Sequence, residues 1–600
     1  MSPLLGARRF PWENLLSSTA LLVVARAVLF AAQDPYWARG LHALAANCFA
    51  RDVLGGVPIA LAGGTLLVLA SRGRSLRLLA GVAFAVPAYL FLTARLPADP
   101  LHVPGFHDLE ARAAHGGAAL LALAWAGLLV FRWPRARAAR VLALGSCVFV
   151  LLALGVRVSG PRTSSAPRDR PNVILISLDT LRADRLGCYG YPRGTSPNID
   201  RFFGQQSRLF RAAFAPQPFT LTSHMSLVTG LNPSAHGVGE KTTLSRGIPT
   251  LAEHLSGAGY LTLAQVDEIV WLHPRFGFAR GFQDYRRKRG NAATRVPSVE
   301  ALLDDLEAER FFLFLHFYDA HSDPGTRAYE SDAEDRLAMD AQPGDEFRAG
   351  AELGGGTGLL WAANQGERVL TEAERVEIGR QYDASVRTLD RALGRLFDHL
   401  ADRGLLEDTL VILLSDHGEE LFEHGKWLHT QLYDESVRVP LLFRMPGRGP
   451  ALAIEEREEV VSLVDVMPTV LELCGIGARG PLQGESLVPL LDGAGDRRHS
   501  HVLFEWEGLG LRTREWKLLT RADGDRLYGL SADPEERTNL VAAPEAHGEL
   551  TLLRDELRAE SARSQAVGAT LHPSAGTEMS ADEREALRAL GYVGGDHKDP

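Results

Sequence analysis

The pattern of apolar and polar positions changes character near residue 157. Before it, apolar runs cover about 14–32, 53–71, 76–95, 116–131 and 141–157, each near the length a helix needs to cross a bilayer. Arginines crowd alternate gaps. Arg8 and Arg9 precede the first run, Arg72, Arg74 and Arg77 fill the second gap, and Arg132, Arg135, Arg137 and Arg140 fill the fourth. The other gaps offset their arginines with Asp34, Asp52, Asp99, Asp108 and Glu110. Cytoplasmic loops carry the excess of Lys and Arg. Residues 1–157 therefore read as an all-α transmembrane region of about five helices, in contact with the lipid bilayer, with a cytoplasmic N-terminus. Everything after 157 is expected outside, which makes the protein multi-pass in the cell's inner membrane with an extracytoplasmic catalytic domain.

Residues 158–170 form a polar linker rich in Pro and Ser. Asn172–Leu178 then runs apolar without alternation, as a strand buried on both faces does. The same signal recurs at Phe311–Phe317 and Leu410–Leu414. Helical stretches lie between: Thr250–Gly257, and Glu372–Leu400, where Tyr382, Val386, Leu389, Leu393 and Leu396 fall near helical spacing. Strands alternating with helices predict an α/β sheet covered on both faces. Residues 322–371, acidic and Gly-rich, read as a long surface insertion beside the site. The boundaries read as a catalytic domain over 171–457, a smaller α+β subdomain over 458–545 and a tail over 546–600.

Composition adds two exclusions. A net charge of −10 with no basic stripe argues against nucleic acid as a partner. Cys48, Cys147, Cys188 and Cys474 show no CxxC spacing, so they offer neither a zinc site nor a disulfide framework.

The candidate chemistry sits at strand ends, where ligands bind in open α/β sheets. Asp179 follows the first strand, Asp416-His417-Gly418 follows Val411–Leu414, and His316, Asp319 and His321 close the Phe311 strand. Hard carboxylates with an imidazole and a hydroxyl suit a divalent cation. The hydroxyl comes from Pro218–Gly230, a helix start in which Thr220, Thr222 and Ser223 are free either to cap backbone N–H groups or to act at an anion site. A Thr220 hydroxyl activated by a metal could attack a phosphate or sulfate ester.

Residues 171–542 resemble the sulfatase family of the alkaline phosphatase superfamily. The resemblance is carried by Pro171–Asp179, Leu186–Gly190, Thr195–Asp200, Leu227–Gly230, His316–His321, Ser415–Glu419, His429, Asp465–Thr469, Gly484–Pro489 and Tyr528–Leu540. It implies the alkaline-phosphatase-like sulfatase α/β fold and assigns the metal to Asp179, Asp416, His417 and Thr220. It places Thr220 as nucleophile and His321 and His429 as catalytic groups, with His224, His316 and Asp319 at the substrate. Two positions depart from the family pattern. Its signature has Cys or Ser, then Pro and Arg, where this chain has Thr220, Thr222 and His224; a Thr cannot become the formylglycine of sulfatases. His417 replaces the usual Asn, and Thr180 stands where a second Asp is common. Thr with an Asp-His pair resembles phosphoethanolamine transferases and lipoteichoic acid synthases, which also carry about five spans. The resemblance thus implies one divalent metal (calcium, manganese, magnesium or zinc). It also implies either ester hydrolysis or phospho-group transfer to an envelope lipid or glycan, or else an inactive binding protein of the same fold.

Overall fold

The computed structural model divides into two units, residues 1–159 and 160–600. It describes residues 166–571 except 168, 205, 307–308, 323–326, 342–354, 448–453, 494 and 496–499. The five expected spans lie outside the described residues. Among the described residues, no helix is long and apolar enough to cross a membrane.

The apolar runs form the centre of a nine-stranded sheet. Its strands are β1 (Asn172–Leu178), β2 (Ser207–Phe214), β3 (Leu261–Asp267), β4 (Asp284–Lys288), β5 (Phe311–Phe317), β6 (Thr409–Leu414), β9 (Arg438–Val439), β10 (Leu441–Arg444) and β11 (Glu455–Ser462); β7 (Glu420–Leu421) and β8 (Trp427–Leu428) pair only with each other. The order is β11-β2-β10-β6-β1-β5-β3-β4, with β9 paired to β2. β1 runs parallel to both β5 and β6, in register from Val173 against Phe312 and Leu410. Only β9 and β10 run antiparallel to their neighbours.

Every residue of β1, β5 and β6 is buried because alternate side chains feed separate cores. Val173, Leu175, Phe312, Phe314 and Ile412 join one, with Met225, Leu255 and Val470. Ile174, Ile176, Leu313, Leu315 and Val411 join the other, with Val296, Tyr382, Val386 and Leu393. The covering helices are α1 (Thr220–Thr229), α2 (Leu251–Gly257) and α5 (Val466–Leu473) on the first side, and α3 (Ala292–Asp304) and α4 (Glu372–Asp402) on the second. Each such side chain contributes about 1.5–3 kcal/mol on burial. Capping boxes fix two starts: Thr250 with Glu253 at α2, and Thr371 with Glu374 at α4.

Three boundaries differ from the sequence reading. β11 pairs with β2 in the main sheet, so that sheet continues past residue 457. The smaller sheet is β12 (His501–Glu505), β13 (Leu509–Thr513), β14 (Trp516–Arg521) and β15 (Gly524–Gly529), all antiparallel. Much of the expected tail is α6 (His547–Leu571), whose Leu550, Leu553 and Leu557 pack on Leu503, Leu511 and Leu518. The Gly-rich insertion also carries structure of its own. Gly355–Gln365 is helical, and Gly356 lies so close to the Arg327 carbonyl that a Cβ would fall 1.8 Å from it.

A stacked imidazole marks the junction of the small sheet with the main one. His424 lies parallel on Tyr433 at 3.6 Å, with Nδ1 2.5 Å from Glu435 Oε1 and Nε2 3.2 Å from the Glu536 carbonyl. Burial alone would lower its pKa, but the Glu435 carboxylate and the Glu536 carbonyl hold it above the ordinary value. Its folded-state pKa is raised, so its stabilisation is complete below about pH 6.5 and is lost as pH rises through the higher folded value. The melting-temperature advantage of wild type over His424→Gln is therefore expected to shrink as pH climbs from 6 to 9. A difference that stayed level over that range would contradict the assignment.

Candidate active site and metal centre

The ends of four neighbouring strands converge on one buried cluster. Asp179 follows β1, and its N–H donates to the Phe317 carbonyl of β5 at 2.9 Å. Asp416 and His417 follow β6. Ser415 Oγ lies 2.5 Å from Leu178 O and 2.6 Å from His417 O, tying the two strand ends together. Ligand atoms of Asp179, Asp416 and His417 all lie within 4.8 Å of one another, and all three residues are fully buried.

This donor set fits a divalent cation. Asp179 Oδ1 and Asp416 Oδ2 are buried without a hydrogen-bond partner, a costly state for carboxylate oxygens unless a cation meets them. His417 Nδ1 donates to Gly418 O at 3.0 Å, so the Nε2 lone pair faces the cluster, 3.5 Å from Asp416 Oδ2. Burial and the Asp179 charge push the Asp416 carboxyl up. Burial opposes ionisation of Asp179 too, but His316, His321 and His417 hold it below its ordinary value.

Thr220 is the first residue of α1, and Phe219 occupies the N-cap without any side-chain cap. The Thr220 hydroxyl therefore does not cap the helix; its Oγ1 lies 3.3 Å from His417 Nε2. Thr222 Oγ1 bonds back to Phe219 O at 3.2 Å, and Ser223 Oγ donates to Asp416 O at 2.6 Å. Across the cluster, His429 Nδ1 donates to Pro218 O at 3.0 Å and His321 Nδ1 to Ser322 O at 2.7 Å. Their Nε2 atoms are 3.4 Å apart. With both Nδ1 protons committed, that contact becomes a hydrogen bond only when one ring carries an extra proton. Burial, then the neighbouring His417 and His321 rings, press the His429 pKa well down. A proton on His429 is consequently given up readily.

Sequence models of known families match this chain twice: the sulfatase family over residues 171–476, and the C-terminal region of N-sulphoglucosamine sulphohydrolase over residues 422–563. The chain belongs to the sulfatase family. Among curated relatives, it is 34% identical over 233 residues to a choline-sulfatase of Rhizobium meliloti (strain 1021), covering 36% of this chain and 44% of that one. It is 38% identical over 189 residues to arylsulfatase K of Gallus gallus, covering 28% and 35%. The chain thus spans less than half the length of either relative. A protein solved with its substrate D-glucosamine-2-N,6-O-disulfate superposes with a TM-score of 0.53 at 18% identity, covering 66% of this chain and 98% of that one. A phosphonate monoester hydrolase of Agrobacterium radiobacter gives 0.52 at 20% identity, covering 68% and 97%. These two likenesses bear on the fold alone. The alkaline-phosphatase-like sulfatase fold read from the sequence is the observed one.

Three residues expected at the substrate make hydrogen bonds within the protein. His224 donates from Nδ1 to Thr220 O at 2.8 Å and accepts at Nε2 from Ser177 Oγ at 2.9 Å, while burial lowers its pKa and leaves it neutral. His316 faces carboxylates with both nitrogens, Asp179 Oδ2 at 3.2 Å and Asp267 Oδ2 at 3.5 Å. Burial opposes its charge, yet those carboxylates bring its pKa to about 9. Asp319 accepts from Ala292 N at 2.7 Å, at the start of α3. Burial and the Asp267 charge push it to about 7.

Sequence reasoning missed Asp267, which also ion-pairs with Arg295, although it ends the apolar β3 as Asp179 follows β1. It offered Ser223 as a cap or anion-site hydroxyl, whereas its Oγ holds the Asp416 carbonyl, and it gave Ser415 no role of its own. It also missed the active part of Thr180. This residue takes a left-handed φ of 56° and turns its N–H toward Asp416 Oδ1 at 3.4 Å.

Two crowded carboxylates predict a test. Asp416→Asn removes one of two buried like charges, so in EDTA the variant should melt no lower than wild type. Added divalent cation should raise the wild-type melting temperature, through preferential binding to the folded state, and leave the variant unmoved. A cation-dependent rise of equal size in both proteins would remove Asp416 from the site.

Proposed function

We propose that this sulfatase-family protein hydrolyses sulfate or phosphate esters with Thr220 as nucleophile, in an extracytoplasmic domain anchored by the apolar runs of residues 1–157. The supporting observation is the Thr220 hydroxyl, free of any capping role and 3.3 Å from His417 Nε2 within the buried acidic cluster. Asp179, Asp416 and His417 would hold a divalent cation, and Thr220 Oγ1 lies close enough to join them. When bound, the cation supplies Lewis-acid chemistry, lowering the pKa of a neighbouring hydroxyl and neutralising ester oxygens.

In the first step Thr220 Oγ1 gives its proton to the His321–His429 pair and bonds to the phosphorus or sulfur while the bond to the leaving oxygen breaks. The His321–His429 pair delivers its shared proton to that oxygen. In the second step water attacks the same centre, breaks its bond to Thr220 Oγ1 and releases the oxyanion. The water's proton passes to the histidine pair and from it to Thr220 Oγ1, which restores the threonine and leaves the pair neutral. The first N–H groups of α1 stand beside the developing charge, where a helix N-terminus favours anions.

Two variants separate nucleophile from scaffold. Thr220→Ser keeps the oxygen and should fold normally and stay active on a nitrophenyl phosphate or sulfate. Thr220→Ala loses no cap and should melt within a few degrees of wild type, yet its turnover should drop by several orders of magnitude. Near-normal turnover by the alanine variant would eliminate Thr220 as nucleophile.

The membrane reading has its own check. A reporter fused after residue 160 should be active only outside the cytoplasm, and fusions within 72–77 and 132–140 only inside. An external signal from either of those gaps would overturn the five-span topology.

A further inference from the structure

A second cluster of charge lies away from the metal centre, where the small sheet meets the main one. A cavity of about 420 Å³ is lined by Asp434, Arg438, Arg512, Arg514, Glu515, Leu530, Ser531 and Pro534. Three guanidinium groups border it, and the carboxylate best placed to answer them is already taken. Asp434 Oδ1 is held at 2.7 Å by the fully buried Lys517 ammonium, which also meets Glu536 at 2.8 Å. Arg512 reaches Asp434 Oδ2 only at 3.4 and 3.5 Å, too long for a strong charge-assisted bond, and gives Nη1 to the Thr513 carbonyl. Its guanidinium lies over the Phe214 ring at 4.6 Å, which fixes its plane against the cavity wall.

Arg438 spends its Nε on the Arg211 carbonyl at 2.9 Å. Arg514 is exposed and makes no ion pair among the described residues. Glu515 is the only other acidic lining residue, and it too is exposed. Three arginines and a buried lysine thus stand against Asp434, the paired Glu536 and an exposed Glu515 whose carboxylate water screens. The imbalance is positive and located in a concave space.

We infer that this cavity is a binding site for a tetrahedral oxyanion, phosphate or sulfate, distinct from the metal centre. Guanidinium forks match two oxygens of such an anion at once, which a point charge does not. The volume exceeds one oxyanion and admits a group carried on a sugar-sized molecule as well. The site does not depend on the ester reading above, although the oxyanion that reaction releases belongs to the same class.

The test titrates inorganic phosphate and, separately, glucose 6-phosphate calorimetrically into the full-length protein in detergent. Excess EDTA is present, so that binding at the metal centre is lost while the cavity keeps its arginines. Wild type should bind at least one of the two. Arg514→Glu and Arg438→Gln should each weaken that binding about tenfold or more, and Arg514→Lys should keep it within a few-fold. Thermal melts that match wild type certify the surface variant Arg514→Glu. Binding of inorganic phosphate assigns a free oxyanion; binding of glucose 6-phosphate alone assigns a group on a larger molecule. Binding of neither, or affinity unchanged by both Arg514→Glu and Arg438→Gln, overturns the site.

Discussion

Two buried carboxylate oxygens with no hydrogen-bond partner, Asp179 Oδ1 and Asp416 Oδ2, are the constraint around which this domain is arranged. Like charges this close repel, and burial strips away the water that would screen them. The chain tolerates the arrangement because the backbone leaves neither side chain anywhere else to go. β1 and β6 are locked in parallel register, and Ser415 ties their ends. Ser223 holds the Asp416 carbonyl from α1. The imidazolium of His316, itself backed by Asp267 and Arg295, answers one of the two charges. What remains is an excess of about one negative charge, the kind of perturbed electrostatics that clusters at functional sites.

The loop that presents Asp416 and His417 is held from the far side as well. Gly418 N donates to Ser436 O at 2.7 Å and Glu419 N to Glu435 O at 2.9 Å. A Cβ at Gly418 would lie 2.0 Å from the Glu435 carbonyl, so only glycine permits this approach. The next residue back, Asp434, is clamped by Lys517 of the small sheet, while Glu536 accepts its N–H at 2.7 Å. A chain of short contacts thus runs from the C-terminal sheet to Asp416 and His417 of the acidic cluster. The small sheet is not an appendage: without it the Asp434–Val437 turn loses its anchor, and the ligand loop rests on that turn.

The residues legible in the sequence are those whose signal is local. Unbroken apolar runs marked β1, β5 and β6, and helical spacing marked α4. The acidic residues after β1 and β6 pointed to the cluster. Where the signal is a distant partner, the reading failed. β11 reads Glu-Glu-Arg-Glu-Glu before its apolar end, the pattern of a solvated edge. Nothing in that segment says that its partner is β2, some 250 residues earlier in the chain. His224, His316 and Asp319 carry the same difficulty. A histidine beside a metal site looks alike in sequence whether its nitrogens reach a substrate or the protein. Only the positions of Ser177, Asp267 and Ala292 decide.

The departure at residues 222 and 224 shows why that distinction matters for mechanism. The family pattern has Pro and then Arg where this chain has Thr222 and His224, and an arginine there would bring a permanent charge beneath Thr220. His224 is neutral and fully buried; it spans from Ser177 on β1 to the Thr220 carbonyl, with Nδ1 3.3 Å from Asp416 Oδ2. Thr222 meanwhile returns its hydroxyl to Phe219 O, steadying the first turn that proline would otherwise stiffen. Both substitutions keep the α1 N-terminus rigid without adding charge to the cluster. Positive charge beside the cluster therefore comes from His316, and the Thr220 hydroxyl is held against His417 by the helix that carries it.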